Sequence, residues 1–600
     1  MTAPAPSRPA RPSPRTLALL IAAGVLVAYV PAMGAGYIWD DDSYLTENPL
    51  VRTFGGLLRM WVPGATPQYY PAVFTMFWFE HALWGLHPAG YHVVNILLHA
   101  ANALLVWRLC TMLRIPGAWF VGAVFALHPV HVESVAWITE RKNVLSGLFY
   151  LLAALTYLRF DDAADGPRRP WWTYAVAMLL FVAALLAKTV TCSLPAALVL
   201  VMLWQRKALT LRRLLPLAPF FVVGLVLALH TAHLERVNVG AEGVDFDLSW
   251  AERLLIASKA LPFYAQKLVL PWPLIFVYPR WQLDASSVRS FAPLLGLLLV
   301  AIAAIVAFAR GRRGPALALA FFAGTLFPAL GFFDVYPMRY SFVADHFQYL
   351  ASLGPLALLV GAAASLSWHR SVLRVAVVFV LGLFAILTWR QCGMYADQET
   401  LWKVTLERNP GAWMAQNNLA KAASKRGDHA EALRRLEAAL PLTDSPKAAD
   451  QIRANQALVL TKLGRYAESL QLYRDVERSN GGMAVKIAQT LDRLGQRDEA
   501  ERAYLDALAG GLREEALLPY ALHLLSRDRF APAVPVLEEV VGLQPGNLFA
   551  RTALADALGA SGRHEDAIRA LERALAVAQA ARDAQGVAEV RRRLDAARRR

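Results

Sequence analysis

Long apolar runs follow one another as far as about Trp389, and they limit the folds that are open to the chain. Hydrophobic residues make up 56% of the 600 residues. A helix needs about 20 apolar residues to span a bilayer, where it satisfies its own backbone hydrogen bonds. From Gln391 onward the sequence is charged, rich in Ala and Leu, and helical in pattern. We therefore predict an all-α protein with a polytopic membrane domain at 1–390 and a second domain at 391–600.

The apolar runs predict about eleven membrane spans. The first, 16–33, follows a basic tail and resembles a secretory signal, but the many later runs indicate an uncleaved helix with a cytoplasmic N-terminus. The segment 253–273 mixes Lys259 and Lys267 into an amphipathic run, so we expect it to lie at the membrane interface without crossing. The other predicted spans are 92–113, 117–131, 143–158, 172–187, 190–204, 214–230, 292–309, 315–333, 349–367 and 372–389.

Basic residues set the predicted orientation, because Lys and Arg are enriched in cytoplasmic loops. Clusters such as Arg206-Lys207 and Arg312-Arg313 mark the inner side. The outer face then holds the C-terminal domain and the loops 36–91, 128–142, 231–291 and 334–348. The abundance of Arg and Ala is typical of a bacterium, so we expect an inner-membrane protein with a periplasmic C-terminal domain. We assign the net charge of +15 to topology and anionic lipid and expect no nucleic-acid partner.

The first outer loop carries an acidic motif, YIWDDDSYLTENP, at 37–49. Its three consecutive carboxylates, Asp40, Asp41 and Asp42, directly follow the first span. Adjacent carboxylates repel one another and are costly to desolvate, so we expect them in water, on a cation or against a polar substrate. Two interpretations stay open from charge alone. The motif is either the floor of an active site or a solvated turn that caps the next helix.

The other outer loops also carry unusual polar residues. Ionisable groups at membrane depth generally face a cavity or a partner and mark function. Arg141 and Lys142 lie on the side that the positive-inside rule disfavours, so an anionic ligand is favoured over a topological anchor. The candidates for binding substrate or lipid phosphate are His128, His131, Glu133, Arg141, Lys142, Arg339, Asp345 and His346.

Two polar patterns have structural interpretations. The residues at 128, 131 and 133 match no strong metal-ligand spacing, so we predict no metal site. His92, Asn95 and His99 lie on one face of a predicted span, and interhelical hydrogen bonding is the favoured interpretation there.

The C-terminal domain repeats itself near the period of about 34 residues that is typical of tetratricopeptide repeats. Small residues let the two helices of a repeat approach, and glycine supplies the tight turn between them. The turn positions are Gly427, Gly464, Gly495, Asp528 and Gly562, and the small residues are Ala420, Ala457, Ala488, Ala521, Ala555, Ala432, Ser469, Ala500, Ala533 and Ala567. We predict about five repeats, closed by a helix near 583–600. The solenoid either binds a partner protein or acts as a spacer or dimerisation arm.

The chain resembles a known family, the transmembrane and tetratricopeptide repeat-containing O-mannosyltransferases. The resemblance begins with Trp39, Asp40 and Asp41, followed by Asn48 and Pro49. It continues into the repeats through three stretches, YHVVNILLHA (91–100), HPVHVESVAWITERKNVLSGLFYLLAALTYL (128–158) and ADHFQYLASLG (344–354).

The resemblance implies a glycosyltransferase of the C fold class that acts on the non-cytoplasmic face. Such an enzyme moves a mannose-like sugar from a polyprenyl-phosphate carrier to a hydroxyl acceptor, here a protein Ser or Thr presented by the repeats. It makes Asp40 and Asp41 the catalytic candidates and the polyprenyl-phosphate sugar the donor substrate. We expect no further cofactor, and a divalent metal stays a disfavoured alternative. The chain departs from the family at Lys188-Thr189, where Lys-Glu is common, and at Asp345-His346, where Asp-Arg is common.

Two rival classes stay open. One is a membrane-anchored scaffold whose repeats recruit partners without catalysis. The other is a transporter of lipid-linked sugar, although the paired, interrupted spans of such proteins are not evident. An assay of transfer from polyprenyl-phosphate sugars separates the three classes.

Overall fold

The computed structural model describes residues 12–165, 169–241, 243–367, 369–581 and 583–599. The basic tail before the first predicted span lies mostly outside these ranges. Within them the regular structure is helical, without strands, which confirms the predicted all-α class. The chain divides into two compact units, Met1–Ala415 and Gln416–Arg600, so the first unit extends beyond the predicted limit at 390.

The first unit consists of helices joined by short 3₁₀ and π turns. Its α-helices are Pro14–Ala28, Val30–Met33, Phe54–Arg59, Pro71–Trp84, Pro88–Met112, Ala118–Leu127, Val132–Ala136, Arg141–Asp162, Trp171–Ala187, Leu194–Trp204, Leu211–Leu214, Ala218–Leu234, Trp250–Val269, Ala292–Ala309, Arg313–Leu326, Leu353–Ala364, Arg370–Cys392 and Gln398–Arg408. The 3₁₀ turns that bear on the site are Pro129–His131, Thr189–Ser193, Tyr336–Arg339 and Asp345–Gln348.

Helices form at every predicted span. Within the described ranges, five helical segments are long and apolar enough to cross a membrane: Pro88–Met112, Arg141–Asp162, Leu211–Val239, Val288–Ala309 and Ser371–Tyr395. Ala118–Leu127 and Pro129–Ala136 meet at a bend of 51°. Counted together as one broken span, they make a sixth segment that is long and apolar enough. Four shorter apolar helices are Pro14–Ala28, Trp171–Ala187, Thr189–Trp204 and Leu353–Ala364. The count of eleven spans stays a prediction.

The helix Pro71–Trp84 lies inside the loop 36–91, which is predicted to be outer, and was not among the predicted elements. It is too short to resemble a span, and its apolar residues lack a clear helical period. It buries Phe74, Phe77 and Glu80, and Phe74 stacks on Tyr44 with ring centroids 4.9 Å apart. The loop 36–91 is therefore packed against the bundle and carries a buried carboxylate into it.

The second unit is a solenoid of paired helices. After the helix Trp413–Lys425, which crosses the boundary between the units, its helices are His429–Ala439, Pro446–Lys462, Tyr466–Asn480, Ala484–Arg493, Arg497–Ala509, Arg513–Ser526, Phe530–Leu543, Leu548–Ala560, His564–Ala580 and Ala584–Arg599. All five predicted turn residues have positive φ, between +55° and +87°. The small residues predicted at the helix contacts are at most 4% exposed. The predicted repeats and the closing helix are confirmed.

The repeat turns test whether glycine is needed there for its left-handed backbone conformation. Gly464 has a φ of +76° and open space around its Cα, so only backbone strain opposes a side chain there. We expect Gly464→Val to lower the stability of the full chain by about 1–2 kcal/mol, the cost of a left-handed conformation. Thermal unfolding followed by far-UV circular dichroism measures it. The control is Gly542→Val, because Gly542 also has open space but no positive φ. Equal effects of the two substitutions would contradict the account.

Candidate functional site

The loop that carries the acidic motif, residues 37–49, is here called the acidic loop. Asp41 fixes it to the turn before helix Arg141–Asp162. The Asp41 side chain is fully buried. Its Oδ1 accepts hydrogen bonds from the backbone N–H of Thr139, at 2.9 Å, and from the Thr139 hydroxyl. Its Oδ2 accepts one from the backbone N–H of Ile38, also at 2.9 Å. Burial raises the pKa of Asp41 to about 7, although these donors oppose the rise. Because both oxygens are occupied, Asp41 joins two loops and has little capacity left for a substrate.

Asp40 is the less constrained member of the pair. It is half-buried, and its buried Oδ1 has no hydrogen-bond partner among the residues that the structure describes. Burial raises the pKa of Asp40 to about 6, and the nearby Lys142 ammonium opposes that rise. A carboxylate with an unused acceptor atom and a pKa close to neutral has the properties of a general base.

Trp39 sets the direction of the chain into Asp40. Its φ is +49°, a conformation that is rare for a bulky residue and persists only where the surroundings fix it. The indole makes edge-to-face contacts with the rings of Trp402 and Tyr340, at centroid distances of 5.1 and 6.1 Å. These contacts hold the residue that directly precedes Asp40.

A buried carboxylate between two lysines lies beside Asp40. The Glu140 side chain is 2% exposed, and its Oε1 and Oε2 each lie 3.0 Å from an ammonium, that of Lys142 and that of Lys188 respectively. Asn143 also donates a hydrogen bond to Oε2. Burial alone would raise the pKa of Glu140, but the two ammonium groups outweigh it and hold the pKa well below its usual range. Glu140 is therefore ionised and keeps two cations in place.

The Lys142 ammonium lies in an aromatic enclosure. It is 5.2 to 5.9 Å from three ring centroids, those of Tyr44, Tyr70 and Trp137. Its Nζ is also 3.5 Å from Oε1 of Gln68. Aromatic faces attract a cation without neutralising it, so Lys142 keeps charge available for an anion.

Arg141, a predicted contact of the lipid phosphate, is held by protein groups inside the bundle. Its side chain is fully buried, and it forms a bidentate ion pair with Glu80 of helix Pro71–Trp84. Its Nε donates to Asn95, and its Nη2 donates to the backbone oxygen of Tyr91 at 2.8 Å. All three nitrogens are thus occupied inside the bundle. The sequence could not show this, because the partner lies on a helix that was not predicted.

His128 and His131 are also bonded within the bundle. Nε2 of His128 lies 3.0 Å from the backbone oxygen of Leu268. His131 contacts the backbone oxygen of Phe125 at 2.9 Å and the hydroxyl of Ser352 at 3.1 Å. Both side chains are fully buried, and their contacts join separate segments of the bundle.

The predicted interhelical bonding on helix Pro88–Met112 is confirmed for two of its three residues. Asn95 donates to the backbone oxygens of Val135 and Trp137. His99 lies 2.9 Å from the hydroxyl of Tyr349.

Glu133, Asp345 and His346 form a second buried cluster. Nδ1 of His346 is 2.8 Å from Oε1 of Glu133, and both oxygens of Asp345 accept from the Tyr278 hydroxyl at 3.0 Å. Burial raises the pKa of Asp345 well above its usual value, and Glu133 adds to the rise. The backbone oxygen of His346 accepts a hydrogen bond from Asn143, at 3.0 Å. Since Asn143 also bonds Glu140, the two clusters are neighbours.

Arg339 ends the 3₁₀ turn Tyr336–Arg339. Its Nε is 3.3 Å from Oδ2 of Asp245. Its buried Nη2 has no hydrogen-bond partner in the described ranges. The next residue, Tyr340, contacts Trp39. Of the predicted cations, Lys142 and Arg339 therefore have the capacity to bind an anion.

The sequence did not select Glu140, and it noted Lys188 only as part of a departure from the family. Glu140 sits in the motif TERKN between two selected clusters, so an acidic residue directly before two basic ones was the available signal. Lys188 lies 46 positions from Lys142, and only the fold brings them to one carboxylate. No group of three or more His, Cys, Asp or Glu in the described chain is arranged to hold a metal ion.

Comparisons with known proteins agree with the repeats and find relatives that share part of the chain. A family model described as tetratricopeptide repeat matches residues 417–484 and 485–547. A mouse relative, protein O-mannosyl-transferase TMTC2, is 34% identical over 160 residues, which cover 24% of this chain and 19% of the relative. The human relative TMTC4, with the same activity in its name, is 23% identical over 487 residues, covering 69% of this chain and 65% of the relative.

The resemblance to the tetratricopeptide-repeat O-mannosyltransferases is confirmed. In the mouse match, however, the chain spans only about a fifth of the relative's length. Among solved structures, a crystal structure of YrrB, described as a TPR protein with an unusual peptide-binding site, is 17% identical. It covers 32% of this chain and 97% of its own, with a TM-score of 0.25. The repeat assignment rests on the family model and on the observed turns.

The role of Arg141 can be tested by unfolding. Removing one partner of a buried ion pair costs about 3–5 kcal/mol, because the other charge stays buried and unpaired. We expect Arg141→Met alone to destabilise the chain by this amount and the double variant Arg141→Met, Glu80→Met to recover most of it. Denaturant unfolding in detergent measures both. A single variant that unfolds like the wild type and only binds donor more weakly would restore the predicted phosphate contact.

Proposed function

We propose that the protein is an integral-membrane glycosyltransferase that moves a mannose-like sugar from a polyprenyl-phosphate carrier to a hydroxyl of a protein Ser or Thr. The observation that carries the proposal is the free Oδ1 of Asp40 near a pair of lysines, Lys142 and Lys188, that share one buried carboxylate. The printed names of the relatives supply the reaction class. A base next to a cationic site is the arrangement that transfer from a sugar phosphate requires.

Asp40 is the proposed general base. An alcohol is a weak nucleophile, and removal of its proton as the new bond forms lowers the barrier. The acceptor oxygen attacks the anomeric carbon, the bond from that carbon to the phosphate oxygen breaks, and Asp40 takes the hydroxyl proton. The sugar develops oxocarbenium character, so the carboxylate also stabilises positive charge as the bonds exchange.

Lys142 and Lys188 are the proposed partners of the lipid phosphate. The leaving group departs as an anion and needs cations, not an acid. Glu140 spaces the two ammonium groups, one at each carboxylate oxygen. Their side chains are 7% and 15% exposed, so the field of each is weakly screened by solvent. Arg339, with its unpartnered Nη2, is the proposed third contact with the substrate.

The placement in the membrane is part of the proposal. The polyprenyl tail is apolar and its phosphate is charged, so the reaction requires a boundary between membrane and water. We expect the boundary between membrane and water at the ends of helical segments. The residues near the site that lie at such ends are those of the acidic loop and Thr139, Glu140, Lys188 and His346. We propose the bacterial inner membrane, with the N-terminus cytoplasmic and the site and repeats on the periplasmic side.

Asp40→Asn provides the direct test of the base. We expect kcat for transfer to a peptide acceptor to fall by a factor on the order of 10²–10⁴, with folding and lipid binding retained. Because a base works deprotonated, wild-type kcat/KM should fall as the pH drops below the pKa of about 6. The residual activity of Asp40→Asn should not show this fall at low pH. Radiolabelled sugar transfer across a pH series measures both.

Two neighbouring aspartates serve as controls. Asp42, which accepts a hydrogen bond from Thr46 at 2.8 Å, should tolerate Asp42→Asn with activity within about twofold of the wild type. Asp41→Asn should destabilise the chain, because an amide would face a backbone N–H. Full activity of Asp40→Asn together with an inactive but folded Asp41→Asn would move the base to Asp41. Full activity of both would remove the catalytic role and favour the scaffold or the transporter.

A further inference from the structure

The solenoid contains a cavity of about 490 Å³. It opens between helix Ala484–Arg493 and helix Arg513–Ser526, with contributions from the repeat before them. Apolar side chains in the lining are Leu458, Pro519 and Leu522. Cationic side chains in the lining are Lys486, Arg493 and Arg497. This volume lies within the range of about 300–1,000 Å³ that is usual for ligand sites.

The three cations of the cavity are not neutralised by the solenoid. All three residues are exposed. In the described part of the chain, no hydrogen bond or ion pair joins the charged groups of Lys486, Arg493 or Arg497 to a protein group. Other arginines of the solenoid differ in this respect, for example Arg465, which pairs with Glu468 at 2.6 Å. The cavity thus keeps three charges for a ligand.

Asp492 is the carboxylate in the lining, and it is held by its neighbours. Its Oδ1 is 2.6 Å from Nδ1 of His523, and its Oδ2 accepts from the Tyr504 hydroxyl at 3.1 Å. Its two oxygens are therefore turned to His523 and Tyr504, which lie in the following helices. This arrangement fixes the carboxylate within the wall and leaves the field of the cavity positive.

We propose that this cavity binds an acidic segment of a partner polypeptide, with Asp or Glu side chains at Lys486, Arg493 and Arg497. One face of helix Ala484–Arg493 carries Lys486, Gln489 and Arg493 at helical spacing. This row of polar groups can pair with side chains spaced along an extended peptide. The apolar lining suits the intervening residues. A flat anionic bilayer would reach exposed charges but not the apolar lining of a cavity. The proposal is independent of the transferase activity.

The test is the binding of defined peptides to the full chain in detergent, measured by fluorescence anisotropy. The probe is a labelled peptide that alternates Ala with Asp and Glu, and its counterpart carries Asn and Gln at the same positions. We expect the acidic peptide to bind about tenfold or more tightly than the amide peptide, because the contacts are charge-assisted. Raising the salt to about 1 M, where the Debye length is about 3 Å, should abolish the difference.

A matched pair of charge-reversed proteins locates the site. The variant Lys486→Glu, Arg493→Glu, Arg497→Glu should lose at least about tenfold in affinity. The control Lys447→Glu, Arg573→Glu, Arg591→Glu makes the same change of charge at exposed residues outside the cavity and should bind as the wild type does. Asp40→Asn should also bind normally, which separates this proposal from the catalytic one.

Three results would overturn the proposal. These are equal affinity for the acidic and amide peptides, equal loss in the two charge-reversed proteins, and full competition by vesicles of anionic lipid at the same charge concentration. The last result would assign the cations to a membrane surface. Unchanged unfolding curves for both triple variants would show that lost binding is not lost folding.

Discussion

The hydrogen bonds from Thr139 to the Asp41 carboxylate are the contact on which the site depends. They fasten the loop after the first span to the turn before helix Arg141–Asp162. Asp40, on one side of this contact, then lies near the lysines held by Glu140, on the other. The buried ion pair of Arg141 and Glu80 supports the same turn from within the bundle. Asp41 and Arg141 thus support the structure. Their neighbours in the sequence, Asp40 and Lys142, face the proposed site.

In the proposed reaction, the charges of the site are balanced before transfer and unbalanced by it. Ionised Asp40 and Glu140 compensate Lys142 and Lys188, so these four groups together carry no net charge. In the proposed step Asp40 takes the acceptor's proton and becomes neutral, so these groups gain a net positive charge as the phosphate leaves with an added negative charge. In a buried environment this change stabilises the departing anion more than water would. Glu140 is needed throughout, because without it two ammonium groups would be buried side by side.

The sequence was informative where the signal is local and weak where the partner is remote. Apolar runs predicted the helices, and small residues with regularly spaced turn residues, mostly glycine, predicted the repeats, because each repeat contacts mainly its neighbours. Asp40 and Lys142 could be selected as candidates because charge at membrane depth is conspicuous. The contacts of Arg141, His128 and His131 could not be predicted, since each depends on a partner such as Glu80 or Leu268 that only the tertiary structure supplies. The same holds for Lys188, whose contact with Glu140 crosses the bundle.

The position of the lipid phosphate is the most direct test of the account. A cryo-EM structure of the full chain with a bound polyprenyl-phosphate mannose would show it. The account predicts phosphate oxygens at about 3 Å from the Nζ atoms of Lys142 and Lys188, with the anomeric carbon facing Asp40. A phosphate bound elsewhere, with the Glu140 lysines still paired and Asp40 facing no sugar, would contradict it.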